Sequence, residues 1–128
     1  MRKRILVVDD EEGIRDILDK VFTKAGYEVK TAEDAETGLD ILEKELFPLM
    51  FLDLQLPGMN GIDLCRRVRK EHPTAILIAM TAYASVFQIV EARDAGFDDY
   101  FLKPFKIDDF LAAAEESFRK LERWRKKL

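Results

Sequence analysis

Hydrophobic and polar positions along this chain switch repeatedly between two periods. Ile5-Leu6-Val7-Val8 is a short continuous apolar run, the pattern of a strand buried on both faces. Ile14, Ile17, Leu18, Val21, Phe22 and Ala25 then recur at helical spacing, and Gly26 stops that helix. Tyr27 to Ala32 alternates like a strand. Asp34 is placed to cap a second helix that turns Ala35, Leu39, Leu42 and Leu46 inward and ends at Pro48. Leu49 to Leu52 reads as a third strand, and Ile62, Cys65 and Val68 mark a helix finished by His72-Pro73. Ala75 to Met80 reads as a fourth strand. Val86, Phe87, Ile89 and Val90 belong to a helix that stops at Gly96. Tyr100 to Leu102 is a short fifth strand. Ile107, Phe110, Leu111, Ala114, Phe118 and Leu121 form the stripe of a last helix, about 107–126, running toward Lys126-Lys127-Leu128.

Five strand–helix units with short connections predict an α/β fold: a (βα)5 doubly wound parallel sheet with helices on both faces. No linker, low-complexity segment or longer repeat interrupts residues 1–128, and 128 residues suit one domain. A single cysteine, Cys65, excludes an intramolecular disulfide and a cysteine zinc cluster, and a single histidine, His72, excludes a His-rich metal site. Cys65 fits a small core residue and His72 a helix-end position. No apolar run approaches the roughly 18 residues of a membrane span. Met1-Arg2-Lys3-Arg4 is followed by only four apolar residues and then Asp9-Asp10, unlike a signal peptide, so the expected location is cytoplasmic. Net charge is −4, yet residues 119–128 carry six basic residues and one acidic residue. The rest is therefore distinctly acidic, which argues against direct nucleic-acid binding. The basic tail suits a helix C-terminus complementing its dipole.

In doubly wound sheets ligands bind beyond the carboxyl ends of the strands. The first strand ends in Asp9-Asp10, the third in Asp53, the fourth in Thr81 and the fifth in Lys103-Pro104. Three carboxylates, a hydroxyl and an ammonium thus converge on one rim. Each has a plainer reading: Asp10 or Thr81 as a helix N-cap, Lys103 as a surface lysine. Asp53 is followed by loop (Leu54-Gln55-Leu56-Pro57-Gly58), which leaves it no helix to cap. Carboxylates at close quarters repel, and a hard divalent cation relieves them; an oxygen site with few protein ligands suits Mg²⁺. The set fits phosphoryl transfer, with Asp53 as the nucleophile that forms an acyl phosphate.

These residues carry a family resemblance. Ile5 to Glu11, Asp53-Leu54-Gln55-Leu56-Pro57-Gly58-Met59-Asn60-Gly61, Thr81-Ala82 and Tyr100 to Phe105, in this order and spacing, resemble a response-regulator receiver domain of two-component phosphorelay systems over essentially the whole chain. The resemblance implies a flavodoxin-like fold with strand order 2-1-3-4-5. It implies that Asp53 accepts a phosphoryl group from a phosphohistidine on a sensor histidine kinase or phosphotransfer protein. It implies Mg²⁺ held by Asp10, Asp53 and the Gln55 carbonyl, with Asp9 mostly through water. Thr81, Lys103 and the Ala82 amide would bind the phosphoryl oxygens, and Thr81 with Tyr100 would form the switch. The Gln55 and Tyr83 side chains occupy positions that vary in the family and tune hydrolysis. The fourth helix, fifth strand and fifth helix would then present a surface to a downstream protein target, an attached effector domain or a second copy. Phe87, Ile89 and Val90 supply more apolar side chains there than one buried stripe needs. Tyr100 also reads as a plain amphipathic strand residue, and Trp124 fits either packing on the domain or a helix that continues.

Three other functions compete. A flavodoxin-like cofactor binder needs small or hydroxyl residues in its first loop, where this chain has Asp9-Asp10-Glu11-Glu12. A haloacid-dehalogenase-type phosphohydrolase needs an Asp two residues past the nucleophile, where Gln55 stands. A module that keeps only the fold has no use for the full polar set. No Gly-x-x-x-x-Gly-Lys loop is present, so a P-loop nucleotide hydrolase is excluded. The expected protein is a phosphoacceptor switch that acts on itself, not an enzyme with external turnover.

Overall fold

The computed structural model describes residues 1–83 and 85–126. Strands and helices alternate along it: β1 (Arg4–Val8), α1 (Glu12–Lys24), β2 (Glu28–Ala32), α2 (Ala35–Lys44), β3 (Leu49–Asp53), α3 (Gly61–Glu71), β4 (Ile76–Thr81), α4 (Val86–Ala95), β5 (Asp99–Leu102) and α5 (Ile107–Lys126). All strand pairs are parallel, in the order β2-β1-β3-β4-β5, the order expected above. Lys127 and Leu128, toward which the last helix was expected to run, lie outside the described residues.

Continuous apolar strands are required because each strand face meets a different helical layer. Ile5, Val7, Leu49, Phe51, Ile78 and Met80 pack against Leu18 and Phe22 of α1 and Phe110, Ala114 and Phe118 of α5. The intervening Leu6, Val8, Met50, Leu52, Leu77 and Ala79 pack against α2, α3 and α4. The α1/α5 side holds an aromatic cluster: the Phe51 ring lies 5.4 Å from Phe22 and 5.2 Å from Phe110, and Phe105 lies 4.2 Å from Phe110. Each such pair contributes roughly 0.5–1.5 kcal/mol beyond area burial. The Phe105 pair also ties down the segment that follows Lys103.

Several expectations shift by a residue or more. The second helix ends at Lys44 rather than at Pro48, because Glu45 turns to extended geometry. The Glu45 carboxylate pairs with Arg4 and Lys30. Leu46, expected inward, is therefore 69% exposed, and Phe47 fills the core in its place. Ile17 lies at the edge of the α1 stripe and is exposed. Asp34 caps α2 as expected, accepting the Thr37 amide at 2.7 Å. Asp10 caps nothing: the N-cap of α1 is Glu11 and makes no side-chain cap. Thr81 is not a cap either, because Ser85 caps α4 through the Gln88 amide at 3.1 Å. His72 is the C-cap of α3, and Cys65 is buried in the core.

The β3–α3 loop folds back on the end of β3. The Gly61 amide donates to the Leu54 carbonyl at 3.1 Å, and Asn60 Oδ1 caps α3 by accepting the Asp63 amide at 2.9 Å. A Cβ at Gly61 would lie 2.7 Å from Leu54 Cα and closer still to the Asp53 carbonyl oxygen. Backbone cannot yield as a flexible side chain can. Gly61→Ala is expected to lower stability by about 1–3 kcal/mol. Gly13→Ala, near the exposed start of α1 with nothing within 4 Å of the added carbon, is expected to raise it by about 0.5 kcal/mol. Urea unfolding midpoints of the two variants check the contrast.

Candidate functional site

The winding direction reverses between β1 and β3, and there the strand ends leave a crevice. Strand register then decides which side chains meet. Val8 pairs with Leu52, so Asp9 and Asp53 emerge side by side. Asp53 pairs with Met80, and Thr81 with Leu102, so Thr81 and Lys103 each stand one step further along the rim. The Lys103 amide donates to the Thr81 carbonyl at 2.7 Å, which holds the lysine backbone in this row.

Lys103 is the centre of the cluster. Its Nζ lies 2.9 Å from Asp9 Oδ2, 3.1 Å from Asp53 Oδ2 and 3.4 Å from Glu11 Oε1. Asp9 and Asp53 are buried, and Asp10 is exposed. Each free oxygen of this set has an anchored counterpart. Asp9 Oδ1 accepts the Glu11 amide at 2.8 Å, and Asp53 Oδ1 accepts the Gln55 amide at 3.0 Å. Arg15 Nη1 donates to the Asp9 carbonyl at 2.8 Å.

One ammonium among several carboxylates leaves the crevice anionic. Burial, and then the Asp9 charge, push the Asp53 carboxyl up to about 6, against the pull of the Gln55 amide and Lys103. Burial acts to lower Lys103. The close contact with Asp9 and the charges of Asp53 and Asp9 outweigh it, so the ammonium is held above its ordinary range. One carboxylate oxygen from each of Asp9, Asp10 and Asp53 can be chosen so that all lie within 4.8 Å of one another. Asp9 Oδ2 is buried and, apart from its ion pair with Lys103, has no aligned hydrogen bond. Three hard oxygen donors, one short of a partner and one open to solvent, fit a small divalent cation.

Beside this cluster Thr81 carries its own network. Its hydroxyl donates to the Tyr83 carbonyl at 2.8 Å and accepts from the Tyr83 amide at 3.1 Å and from Gln55 Nε2 at 3.2 Å. The exposed Ala82 amide donates to Gln55 Oε1 at 3.4 Å. Tyr100 is 38% exposed, on the far side of a narrow gap behind Thr81. Asp9, Asp10, Asp53 and Lys103 are thus brought together. Thr81, Ala82 and Gln55 form an adjoining group, and Tyr100 stands outside both.

Two neighbours escaped sequence reasoning. Glu11 reads as a first-turn helix charge, yet it reaches Lys103. Gln88 places Oε1 3.4 Å from Thr81 Oγ1. Its signal was a single amide interrupting the apolar run Val86 to Val90.

Comparison with known proteins agrees on one group. The model for the response regulator receiver domain matches residues 5–115. Sporulation initiation phosphotransferase F of Bacillus subtilis (strain 168) is 39% identical over 116 residues, spanning 91% of this chain and 94% of that protein. Response regulator ArlR of Staphylococcus aureus is 37% identical over 117 residues, but the matched part is 53% of ArlR, so this chain spans about half of that relative. A solved response regulator receiver domain protein (CheY-like) from Methanospirillum hungatei JF-1 superposes with a TM-score of 0.92 at 36% identity, covering 96% of this chain and 98% of that one.

The raised Asp53 carboxyl has a stability consequence. Folded Asp53 binds a proton more readily than unfolded Asp53, so stability falls as pH rises from about 4 to about 6. The penalty is complete above that window and absent below it. In chelator, Asp53→Asn is expected to be more stable than the parent by roughly 1–3 kcal/mol at pH 7.5, with the difference closing toward pH 4. Denaturant titrations across that range check the sign.

Proposed function

The chain belongs to the response regulator receiver domain family, and from that premise we propose that Asp53 is its phosphoacceptor. The observation that carries this reading is the buried Asp53 carboxylate, with one oxygen held by the Gln55 amide and the other facing Lys103. In the proposed step an Asp53 oxygen bonds to phosphorus while the P–N bond of a phosphohistidine on a sensor kinase or phosphotransfer protein breaks. The imidazole leaves with the electron pair. Later attack by water returns phosphate and restores the carboxylate, so the chemistry is directed at the protein itself.

Asp10, Asp53 and the Gln55 carbonyl, with Asp9 through water, would hold Mg²⁺, whose charge would offset carboxylate repulsion and attract the incoming phosphoryl oxygens. The remaining work belongs to the chain. Lys103 offers a fixed positive charge to a phosphoryl oxygen, and the Thr81 hydroxyl and Ala82 amide offer hydrogen bonds on the other side. To give that bond Thr81 must leave the Tyr83 carbonyl, and the vacated space is open to Tyr100. Charge stabilisation at Asp53 is thereby traded for a changed surface on α4, β5 and α5. That surface already shows large apolar side chains: Phe87 is 83% exposed and Val86 77%. A target protein, an attached effector domain or a second copy is the partner this reading assigns to it.

Residues 1–128 are proposed as one receiver unit acting in the cytoplasm. Among the described residues no helix is long and apolar enough to cross a membrane.

Acetyl phosphate with Mg²⁺ is expected to add one phosphoryl group at Asp53, read by mass spectrometry of the treated protein. Asp53→Asn or a chelator should abolish the addition, and Lys103→Met should slow it by about 10²-fold. Labelling at another residue, undiminished by chelator, would overturn the assignment.

A further inference from the structure

The α4 helix is lightly held. Its buried residues are Ala92 and Ala95, the smallest apolar side chains it could use, while Val86, Phe87 and Val90 face outward. Buried area sets the hydrophobic anchoring of a helix, so two buried alanines and a half-buried Ile89 secure it weakly. Polar contacts at its first turn therefore weigh more than usual in where it sits.

One of those contacts leads to the phosphoacceptor. Gln88 is half-buried, in the turn capped by Ser85, and presents its amide to the Thr81 hydroxyl at 3.4 Å. The other partners of that hydroxyl, Tyr83 and Gln55, belong to loops. The hydroxyl has one proton, for which Gln88 Oε1 and the Tyr83 carbonyl are alternative acceptors. Gln88 also lines the gap between Thr81 and Tyr100, whose free volume is about 10 Å³. That is room for one water at most and far too little for a phenol ring.

Resting on the reading of Asp53 as phosphoacceptor, we infer that Gln88 is a positioning residue that ties α4 to the Thr81 hydroxyl in the resting protein. Movement of Thr81 toward a phosphoryl group then breaks the tie and frees α4. The contact contributes to the resting arrangement and is lost in the phosphorylated one, which is the differential interaction a two-state switch requires. It also gives the apolar Val86, Phe87 and Val90 a direct mechanical link to the site, one turn of helix away.

Gln88→Met keeps the length and bulk of the side chain and removes the amide. In the full chain, labelling of Asp53 by acetyl phosphate with Mg²⁺ is expected to be about 3- to 10-fold faster in this variant, the range that follows from losing one hydrogen bond of the resting state. The Val86 and Val90 methyl resonances of its unphosphorylated form should move toward the positions they take in the phosphorylated parent. A parental labelling rate with parental resonances overturns the inference, including where the unfolding midpoint drops, because that result marks Gln88 as packing alone. If the parent is not labelled at Asp53, the phosphoacceptor reading fails and this inference with it; a labelled parent with an unaltered variant defeats the inference only.

Discussion

The Lys103 ammonium between Asp9 and Asp53 is the interaction on which the rest of the molecule is arranged. Burying two carboxylates at adjacent strand ends is unfavourable unless a positive charge lies within contact distance, and here one lies 2.9 and 3.1 Å away. The lysine reaches them because β5 runs parallel to β4 and the tilted ring contact of Phe105 with Phe110 holds the chain just past it. A core contact on one sheet face thus sets the electrostatics at the sheet's end. The compensation is incomplete, since Asp53 is still pushed up to about 6. A site left short of positive charge is one prepared to gain it from a cation.

The same incompleteness runs into the second network. Thr81 is buried beside the acidic cluster but bonds away from it, to Tyr83 and Gln55. Its hydroxyl has satisfactory partners in the resting state, so turning it toward Asp53 requires a strong competing acceptor. A phosphoryl oxygen is such an acceptor, because charged hydrogen bonds are roughly twice as strong as neutral ones. A balance of this kind needs only a few kcal/mol to tip. Under the proposed function α4 is the element placed to respond: its buried residues are alanines, and Val86, Phe87 and Val90 are exposed.

What could be read from residue order alone was extensive, and the reasons are local. Continuous apolar runs such as Leu49 to Leu52, too short for a helix and set off by Pro48 and Asp53, read as strands covered on both faces, so the five units and their layers were legible. Polar residues that break those runs, Asp9, Asp53, Thr81 and Lys103, mark the strand tips because a buried strand has no other use for them. The sheet order was carried by family resemblance, since strand composition does not say which strand lies beside which. Leu46 was misplaced because helical spacing alone cannot see that Glu45 is captured by Arg4 and Lys30 from neighbouring strands.

The amino-acid order by itself determined the element types, the identity of the polar residues at each strand end and their arrival at one edge of one sheet, because period and strand direction are properties of the local chain. Only the tertiary structure decided that Lys103 pairs with Asp9 and Asp53 together, that Glu11 joins them, that Thr81 faces Tyr83, and that Gln88 reaches it from α4. Those outcomes depend on register, rotamer and helix seating, which arise from contacts between residues distant in the chain and have no local signature.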